Sequence, residues 1–293
     1  MKQAAVQAHA KINLTLDVTG RRPDGYHDVC MVMQSIGVHD IVTVAVGTGS
    51  GSISLRTVGS DLPSDHRNLA YRAAELFLKE TGISCDGISI VIEKHIPVAA
   101  GLAGGSTDAA AVLTLLDQLY DTQLHTEQRM KMGLQLGADV PFCMVGGTML
   151  AEGIGEKLTA LPDAPQAHVV LCKPPFAVST PAIYRAIDSA EITARPDTDA
   201  MLRAIQAGDV AAVSRLLYNV MQPVTAEMHP EVTEICKMMR ENGALGSIMS
   251  GSGPSVFGLF PDHDQAQQTC TILSKQYEET FLTDFSCAGQ INL

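Results

Sequence analysis

The amino-acid sequence predicts an α+β protein of two domains, and three observations support this fold class. The chain has 293 residues, which suits about two domains of roughly 150 residues each. Segments typical of strands and of helices follow one another without the strict alternation of a doubly wound parallel sheet. The proline-containing segment LTALPDAPQ (158–166) is typical of a domain boundary. We therefore expect domains at 1–160 and 161–293.

Composition restricts the class of protein. Hydrophobic residues make up 46% and charged residues 18% of the chain, as in soluble globular proteins. The net charge of −12 disfavours nucleic acid and anionic membranes as partners. The seven cysteines form no CxxC pair, which is typical of reduced thiols in the cytosol. No apolar segment resembles a membrane span or a signal peptide. We expect a cytoplasmic protein, and composition leaves its oligomeric state open.

The first half of the chain begins with segments of alternating polarity. Residues 5–18 are predicted to form a strand, and DIVTVAV (40–46) and SISLRTV (52–58) to form a hairpin around GTGSG. Residues 68–82 have helical periodicity, with Asn68 as the N-cap and Gly82 as the C-cap. A strand over 87–98 then leads into a glycine-rich loop, and a helix is expected to begin near Ser106.

The second half is predicted to alternate less regularly. HVVLCKPP is typical of a strand and STPAIYRAI of the start of a helix. The last predicted elements are helices over 199–217 and 231–241, two strands around a glycine and serine turn within 246–260, and a final strand over 285–293.

The loop PVAAGLAGGSTDAA (97–110) indicates an anion site. Glycine lets the backbone approach a phosphate closely, and a helix N-terminus presents unpaired N–H groups and a partial positive charge. Ser106 and Thr107 would add hydroxyls toward phosphate oxygens or a magnesium ion, and Asp108 would suit the helix dipole and help to hold that ion. The loop lacks the lysine of GxxxxGK[ST]. A tight packing turn without a ligand is the alternative interpretation.

Two further segments support a nucleotide site. AKINLTLDVTGRRPDGYHDV near the N-terminus, the glycine loop, and MSGSGPSVFGLF near the C-terminus resemble, in order and spacing, the three motifs of the GHMP kinase superfamily. Within it, KINLTL, RRPDGYHDV, GADVPF and AEGIGE are similar to the 4-diphosphocytidyl-2-C-methyl-D-erythritol kinases, over about residues 8–260. The resemblance implies an N-terminal ATP-binding α/β domain, a C-terminal ferredoxin-like α+β domain, and an active site in the cleft between them.

The resemblance also implies an activity and its residues. The activity is ATP-dependent phosphorylation of the 2-hydroxyl of 4-diphosphocytidyl-2-C-methyl-D-erythritol, in the non-mevalonate pathway to isoprenoid precursors. Asp139 would be the general base and Lys11 its orienting partner, with Mg²⁺ brought by ATP and held with Ser106. The other implied residues are Pro97, Gly101, Leu102, Ala103, Gly104, Gly105, Ser106, Thr107 and Asp108 for ATP; Gly251, Ser252 and Gly253 for the third motif; and Asn13, Tyr26, His27, Thr180 and Tyr184 for the substrate.

These residue types suit the chemistry. An alcohol is a poor nucleophile, so a carboxylate at Asp139 would accept its proton while Lys11 offsets charge around the transferring phosphoryl group. Taken alone, Asp139 is more typical of a turn or helix cap than of a catalytic site, and Lys11 is more typical of an edge strand. The scattered histidines have no metal-ligand spacing, so no protein metal site is predicted.

Three hypotheses remain open at this stage. The first is the kinase of the cytidine-linked methylerythritol. The second is another GHMP-type kinase that acts on homoserine, mevalonate or a sugar. The third is a non-catalytic paralogue that binds a nucleotide. The alanines of the glycine loop, Ala99, Ala100 and Ala103, are expected to have negative φ, because the left-handed turn positions favour glycine.

Overall fold

The computed structural model describes residues 1–286 as two β-sheets with helices packed against them. The first sheet has seven strands and is formed mostly by the first half of the chain. The elements of that half are β1 (Lys2–Arg21), β2 (His27–Val46), β3 (Ile53–Val58), α1 (Leu69–Thr81), β4 (Ile88–Glu93), α2 (Gly104–Tyr120), α3 (Thr126–Leu136), α4 (Val140–Val145), β5 (Thr148–Gly153) and β6 (Lys157–Ala160).

The second sheet has four strands, all from the second half of the chain. One short strand of that half, β8, pairs instead with β1 of the first sheet. The elements are β7 (His168–Lys173), α5 (Thr180–Ile187), α6 (Thr198–Gln206), α7 (Val210–Arg215), β8 (Tyr218–Asn219), α8 (Gln222–Met228), α9 (Glu231–Glu241), β9 (Gly246–Met249), β10 (Val256–Phe260), α10 (His263–Leu273) and β11 (Glu279–Asp284).

The strand order of the second sheet confirms the predicted ferredoxin-like architecture. Its order is β11-β7-β10-β9, and every neighbouring pair is antiparallel. Numbered along the chain, this is the order 4-1-3-2. Helix α9 ends the long connection from β7 to β9, α10 connects β10 to β11, and both helices pack against the sheet. The mixed strand and helix content therefore agrees with the predicted α+β class.

The first sheet is organised around two strands of 20 residues each, β1 and β2, which pair antiparallel along their whole length. The other edge of β2 is shared, because the strand is longer than either neighbour. Residues 41–46 pair with β4, and residues 29–34 pair with β5.

Two irregularities in the β1–β2 register determine which way the central residues of β1 point. One lies between His9 and Lys11 and the other between Asn13 and Thr15. Between them, Ala10, Ile12 and Leu14 pack into one core cluster, whereas Ala8 and Leu16 on either side pack into the other, which includes α2. Because strand side chains alternate, Lys11 and Asn13 are turned toward the α2 face.

The predicted hairpin of residues 40–46 and 52–58 is wrong. Strand β3 pairs with β4 in parallel, and β4 lies between β3 and β2. Burial explains this order. Ile88, Ile90 and Ile92 of β4 are almost fully buried, as an inner strand requires, whereas Leu55 is the single buried residue of β3. The strand with fewer buried residues, β3, therefore lies at the edge of the sheet.

Two local predictions also differ from the structure, and a third falls mostly outside the described residues. The helix predicted over 199–217 is two helices, α6 and α7, because the chain turns at Gly208 with a φ of +66°. Helix α2 begins at Gly104, two residues before the predicted start. Of the predicted final strand, Phe285 forms an isolated bridge to Ile36, and residues 287–293 lie outside the described part of the chain.

The predicted caps of α1 are present. The Asn68 side chain accepts a hydrogen bond from the Ala70 backbone N–H, and Gly82 ends the helix in the left-handed conformation. The six cysteines within residues 1–286 are free thiols. No helix in this part of the chain has both the length and the apolar character required to cross a membrane.

Candidate active site

A cavity of about 880 Å³ opens between the C-terminal half of β1, the glycine loop, the start of α4, and α5. All of the residues predicted for the site line this cavity except Thr107, Asp108 and Gly253. The structure therefore brings together residues from five separate segments of the sequence. The predicted residues at its wall are Lys11, Asn13, Tyr26, His27, Pro97, Gly101, Leu102, Ala103, Gly104, Gly105, Ser106, Asp139, Thr180, Tyr184, Gly251 and Ser252.

Lys11 and Asp139 form a charged pair at the cavity wall. The Lys11 Nζ atom lies 3.8 Å from Asp139 Oδ2 and donates a shorter hydrogen bond of 2.8 Å to Asn13 Oδ1. Lys11 is 4% exposed, whereas the Asp139 side chain is 32% exposed. Asp139 immediately precedes α4, which Pro141 helps to start. The buried ammonium is thus fixed, and the carboxylate remains open to a ligand.

The glycine loop takes left-handed turns at alanines as well as at glycine. Ala99, Gly101 and Ala103 have φ values of +53°, +76° and +59°. The expectation of negative φ is therefore wrong for Ala99 and Ala103. A left-handed alanine costs about 1–2 kcal/mol, and contacts on both sides of the loop hold it in place. The Lys11 N–H donates to the Leu102 carbonyl, and the Ser250 hydroxyl donates to the Gly101 carbonyl.

The glycine loop and the third motif touch through their backbones. A Cβ atom on Gly101 would lie only 2.4 Å from the Ser250 carbonyl oxygen, and one on Gly251 would lie 3.1 Å from the Gly101 carbonyl oxygen. A Cβ on Gly251 would also lie 3.6 Å from Lys11 Nζ. Both positions have positive φ. Glycine is required at both positions because the glycine loop, the third motif and the Lys11 side chain approach one another at van der Waals distance or closer.

Thr107 and Asp108 point away from the cavity, and both are buried. Asp108 Oδ2 accepts a 2.8 Å hydrogen bond from Lys94, which also binds Asp40, while Asp108 Oδ1 is buried without a hydrogen-bond partner among the described residues. Burial raises the pKa of Asp108, Lys94 opposes this effect, and Asp40 adds to it. Asp108 therefore anchors the start of α2 from within the core.

Lys94 was not predicted as a site residue, yet it lines the cavity beneath the glycine loop. A Cβ atom on Gly104, the first residue of α2, would lie 3.3 Å from Lys94 Nζ. Burial alone would lower the pKa of Lys94, but Asp108 and Asp40 outweigh this effect and raise it. The lysine follows a strand in the sequence, and nothing local indicates that its carboxylate partners come from β2 and α2.

Asn219, in β8, is a second residue that the sequence did not indicate. Its side-chain amide donates to the Met249 and Gly251 carbonyls at 2.9 and 2.8 Å, and its oxygen accepts from the Met221 N–H. Asn219 is 2% exposed. It therefore fixes the third motif against β1, where β8 pairs in parallel with Thr15 and Leu16.

The aromatic residues lie at the other end of the cavity. The rings of His27 and Tyr184 stack with centroids 4.7 Å apart and an angle of 21° between their planes. Tyr26 is 59% exposed. Burial and the nearby charge of Asp139 raise the pKa of Tyr184 to about 12. Tyr184 therefore stays a neutral phenol, with its ring available for packing.

Helix α5 connects the aromatic end to the third motif. The hydroxyls of Thr180, the first residue of α5, and Ser252 are 2.7 Å apart. At the other end of α5, Asp188 accepts a hydrogen bond from His27 Nε2 at 2.7 Å. Asp188 was not predicted either, because its partner lies 161 residues earlier in the sequence.

One side chain beside the glycine loop is of a type that can coordinate a magnesium ion. Within residues 1–286, no group of three or more His, Cys, Asp or Glu side chains is arranged to hold a metal ion. Ser106 lies in the first turn of α2 and lines the cavity. One hydroxyl combined with phosphate oxygens and water is a coordination shell that Mg²⁺ accepts.

Comparison with known proteins gives a consistent result. The family described as GHMP kinases N terminal domain matches residues 68–147, and the family described as GHMP kinases C terminal matches residues 201–279. The two matches contain the glycine loop, Asp139 and the third motif, all of which meet at the cavity.

Proteins named 4-diphosphocytidyl-2-C-methyl-D-erythritol kinase match the chain over nearly its full length. The one from Pelotomaculum thermopropionicum is 49% identical, covering 94% of this chain and 96% of the relative. The one from Caldicellulosiruptor bescii is 44% identical, covering 97% and 98%. A crystal structure of a 4-(cytidine 5'-diphospho)-2C-methyl-D-erythritol kinase superposes with a TM-score of 0.81 and 33% identity, covering 97% and 99%. The chain belongs to the 4-diphosphocytidyl-2-C-methyl-D-erythritol kinase family of GHMP kinases.

Proposed function

We propose that the protein transfers the γ-phosphoryl group of ATP to the 2-hydroxyl of 4-diphosphocytidyl-2-C-methyl-D-erythritol, a step toward isoprenoid precursors. The observation that supports the proposal most directly is that three features lie at one cavity. These are the charged pair Lys11 and Asp139, the N-terminus of α2, and the aromatic end at Tyr184. Full-length identity of 44–49% to the named kinases supports the same substrate.

Asp139 is the residue we assign as general base. It is the exposed carboxylate of the pair, so a substrate hydroxyl can reach it. It accepts the hydroxyl proton as the oxygen attacks phosphorus, and a positioned base contributes about 10²- to 10⁴-fold to such reactions. Lys11 keeps its ammonium at the same place through Asn13 and offsets negative charge on the transferring group.

We assign the glycine loop and the N-terminus of α2 to the ATP phosphates. The free N–H groups of the first turn and the helix dipole favour anions. Ser106 would bind Mg²⁺ together with phosphate oxygens, and the bound ion would neutralise phosphate charge. Gly251, Ser252 and Gly253 support the loop from the other side. Thr107 and Asp108 hold the helix and do not contact the nucleotide.

The cytidine end of the substrate is assigned to Tyr26, His27 and Tyr184, and Thr180 supports that end through Ser252. Stacking of a base on an aromatic ring is worth about 1–3 kcal/mol. Because Tyr184 and Asp139 line the same cavity, one extended ligand can contact both the aromatic residues and the charged pair. Asn13, which already holds Lys11, is the polar contact for the methylerythritol end.

We propose further that the protein has two domains. The N-terminal domain, residues 1–160, supplies the phosphate loop and the charged pair, and the C-terminal domain, residues 161–293, supplies the third motif and α5. The free thiols and the acidic composition suit the cytosol. Neither assignment is needed for the reaction itself.

The test is ATP consumption by the purified protein with Mg²⁺ and each of four acceptors. These are 4-diphosphocytidyl-2-C-methyl-D-erythritol, homoserine, mevalonate and galactose. We expect turnover with the cytidine compound alone, and its loss in Lys11→Ala and Asp139→Asn. Turnover with another acceptor would replace the substrate assignment, and no turnover with any acceptor would favour a non-catalytic nucleotide-binding protein.

A further inference from the structure

Asp188 holds His27 from the C-terminal end of α5. Its Oδ1 atom accepts the hydrogen bond from His27 Nε2, and its Oδ2 atom lies 3.4 Å from Arg21 Nη1. All three residues line the cavity. The contact joins α5 to the paired ends of β1 and β2, where Arg21 and His27 are cross-strand partners.

A carboxylate at this position is unfavourable without its partners. The C-terminus of a helix carries partial negative charge, which repels Asp188. The hydrogen bond from His27 nevertheless lowers the pKa of Asp188, and the positive charge of Arg21 adds to this effect. Asp188 is therefore ionised and can only accept hydrogen bonds.

The contact determines which nitrogen of His27 carries hydrogen. Because the carboxylate accepts at Nε2, this nitrogen must be protonated. In the neutral ring, Nδ1 then keeps its lone pair and is a hydrogen-bond acceptor. The His27 side chain is only 8% exposed, and its ring is stacked on Tyr184, so the ring has little freedom to exchange its two nitrogens.

We propose that Asp188 is a positioning residue that fixes His27 as an acceptor at Nδ1 and thereby makes the site select cytosine over uracil. This inference rests on the proposed function. Cytosine carries an amino donor at the position where uracil carries a carbonyl acceptor. The fixed Nδ1 lone pair accepts from the cytosine amino group, whereas it faces a uracil oxygen with no hydrogen between them.

The kinetic test compares two substrates, 4-diphosphocytidyl-2-C-methyl-D-erythritol and the same compound with uracil in place of cytosine. Polar pockets that match a substrate donor reject analogues without it by large factors, so we expect wild-type kcat/KM to favour cytosine by at least ~100-fold. In Asp188→Ala, His27 can present either nitrogen. KM for the cytidine compound should rise ~10-fold with kcat within ~2-fold, and the cytosine preference should fall ~10-fold or more.

Two further variants control this experiment. Asp188→Glu keeps a carboxylate within reach of His27 and should restore most of the preference. Glu191→Gln removes the same charge from an exposed position three residues later and should leave both KM values and the preference unchanged. An equal loss for both substrates in Asp188→Ala would overturn the proposal, since it would show a merely structural role.

A second measurement does not depend on how the variants fold. Nitrogen-15 NMR of His27 in the wild-type protein at pH 8 reports which ring nitrogen is protonated. Hydrogen at Nε2 is expected, and hydrogen at Nδ1 would overturn the proposal. The proposed function and the role of Asp188 are tested separately. If the wild-type protein does not turn over the cytidine compound, the proposed function itself is contradicted. Turnover with an unchanged preference in Asp188→Ala contradicts only the role of Asp188.

Discussion

Lys11 and Asp139 lie 3.8 Å apart, yet the closer contact of Lys11 is to Asn13 at 2.8 Å. The ammonium is therefore held mainly by a neutral side chain on its own strand. This leaves the Asp139 carboxylate partly exposed and free to bind a substrate hydroxyl.

Asp139→Asn tests the assigned base. The amide keeps the shape of the side chain but cannot accept the proton, so kcat should fall by roughly 10²- to 10⁴-fold. KM for ATP should stay within ~2-fold, because the substitution removes a proton acceptor and leaves the glycine loop itself unchanged. Steady-state kinetics with the cytidine compound measure both values. An unchanged kcat would remove Asp139 from the mechanism.

Gly101→Ala tests the contact between the glycine loop and the third motif. The new methyl group would meet the Ser250 carbonyl oxygen at 2.4 Å, so the loop must shift and KM for ATP should rise at least ~10-fold. Gly49→Ala is the matched control. Its φ of +75° equals that of Gly101 within a degree, but its methyl group would meet open space. The control should lose about 1 kcal/mol of unfolding free energy from backbone strain and keep its KM. Equal KM values in the two variants would contradict the assigned role of the contact.

Asn219→Asp tests how the third motif is supported. The substitution replaces a buried amide donor by an oxygen that faces two carbonyl oxygens, Met249 and Gly251. The free energy of unfolding in denaturant should fall by about 3 kcal/mol, and KM for ATP should rise. Asn242→Asp loses a similar bond, to the Met238 carbonyl at the end of α9, outside the residues that line the cavity. If both variants change KM equally, the effect is not specific to the third motif.

His9 gives a pH-dependent prediction for stability. Burial is the main cause that lowers its pKa, with His39 adding to the effect and the hydrogen bond to the Ile36 carbonyl opposing it. The unfolded chain therefore takes up a proton before the folded protein does. In the unfolded chain the pKa of histidine is about 6.5. The stability contributed by neutral His9 is fully present above this pH and is lost as the pH falls below it.

Urea unfolding at pH 8 and pH 5 measures this effect. The wild-type protein should lose more stability between the two values than His9→Gln does. His66→Gln, which removes an exposed histidine, should lose as much as wild type. The same loss in all three proteins would contradict the burial argument.

The sequence was sufficient for the motifs but not for the side chains that hold them. The glycine loop and the third motif could be located because their residues are contiguous and their spacing is typical of GHMP kinases. Lys94, Asp188 and Asn219 could not, because each has a hydrogen-bond partner far along the chain, which is Asp40 in the case of Lys94. The predicted pairing of β2 with β3 is wrong for the same reason. These strands are neighbours in the sequence, but β4, which comes later in the chain, is the better inner strand and lies between them.

The expected negative φ is wrong for Ala99 and Ala103, and the reason is the small size of the conformational preference. The rule that left-handed positions favour glycine is a cost of about 1–2 kcal/mol, and contacts elsewhere can outweigh it. Ala103 takes such a conformation at the residue before α2, between the Lys11–Leu102 hydrogen bond and the start of the helix. The sequence does not show those contacts, so it cannot show whether an alanine adopts the left-handed conformation.

Strand β8 has a consequence for any attempt to divide the protein. Its two residues cover the edge of β1 at Thr15 and Leu16, close to the strand positions of Lys11 and Asn13. A fragment that ends at residue 160 would expose this edge, and bare strand edges promote aggregation. Separately expressed halves should therefore be insoluble or inactive, and co-expression should be needed to recover a working enzyme from two pieces.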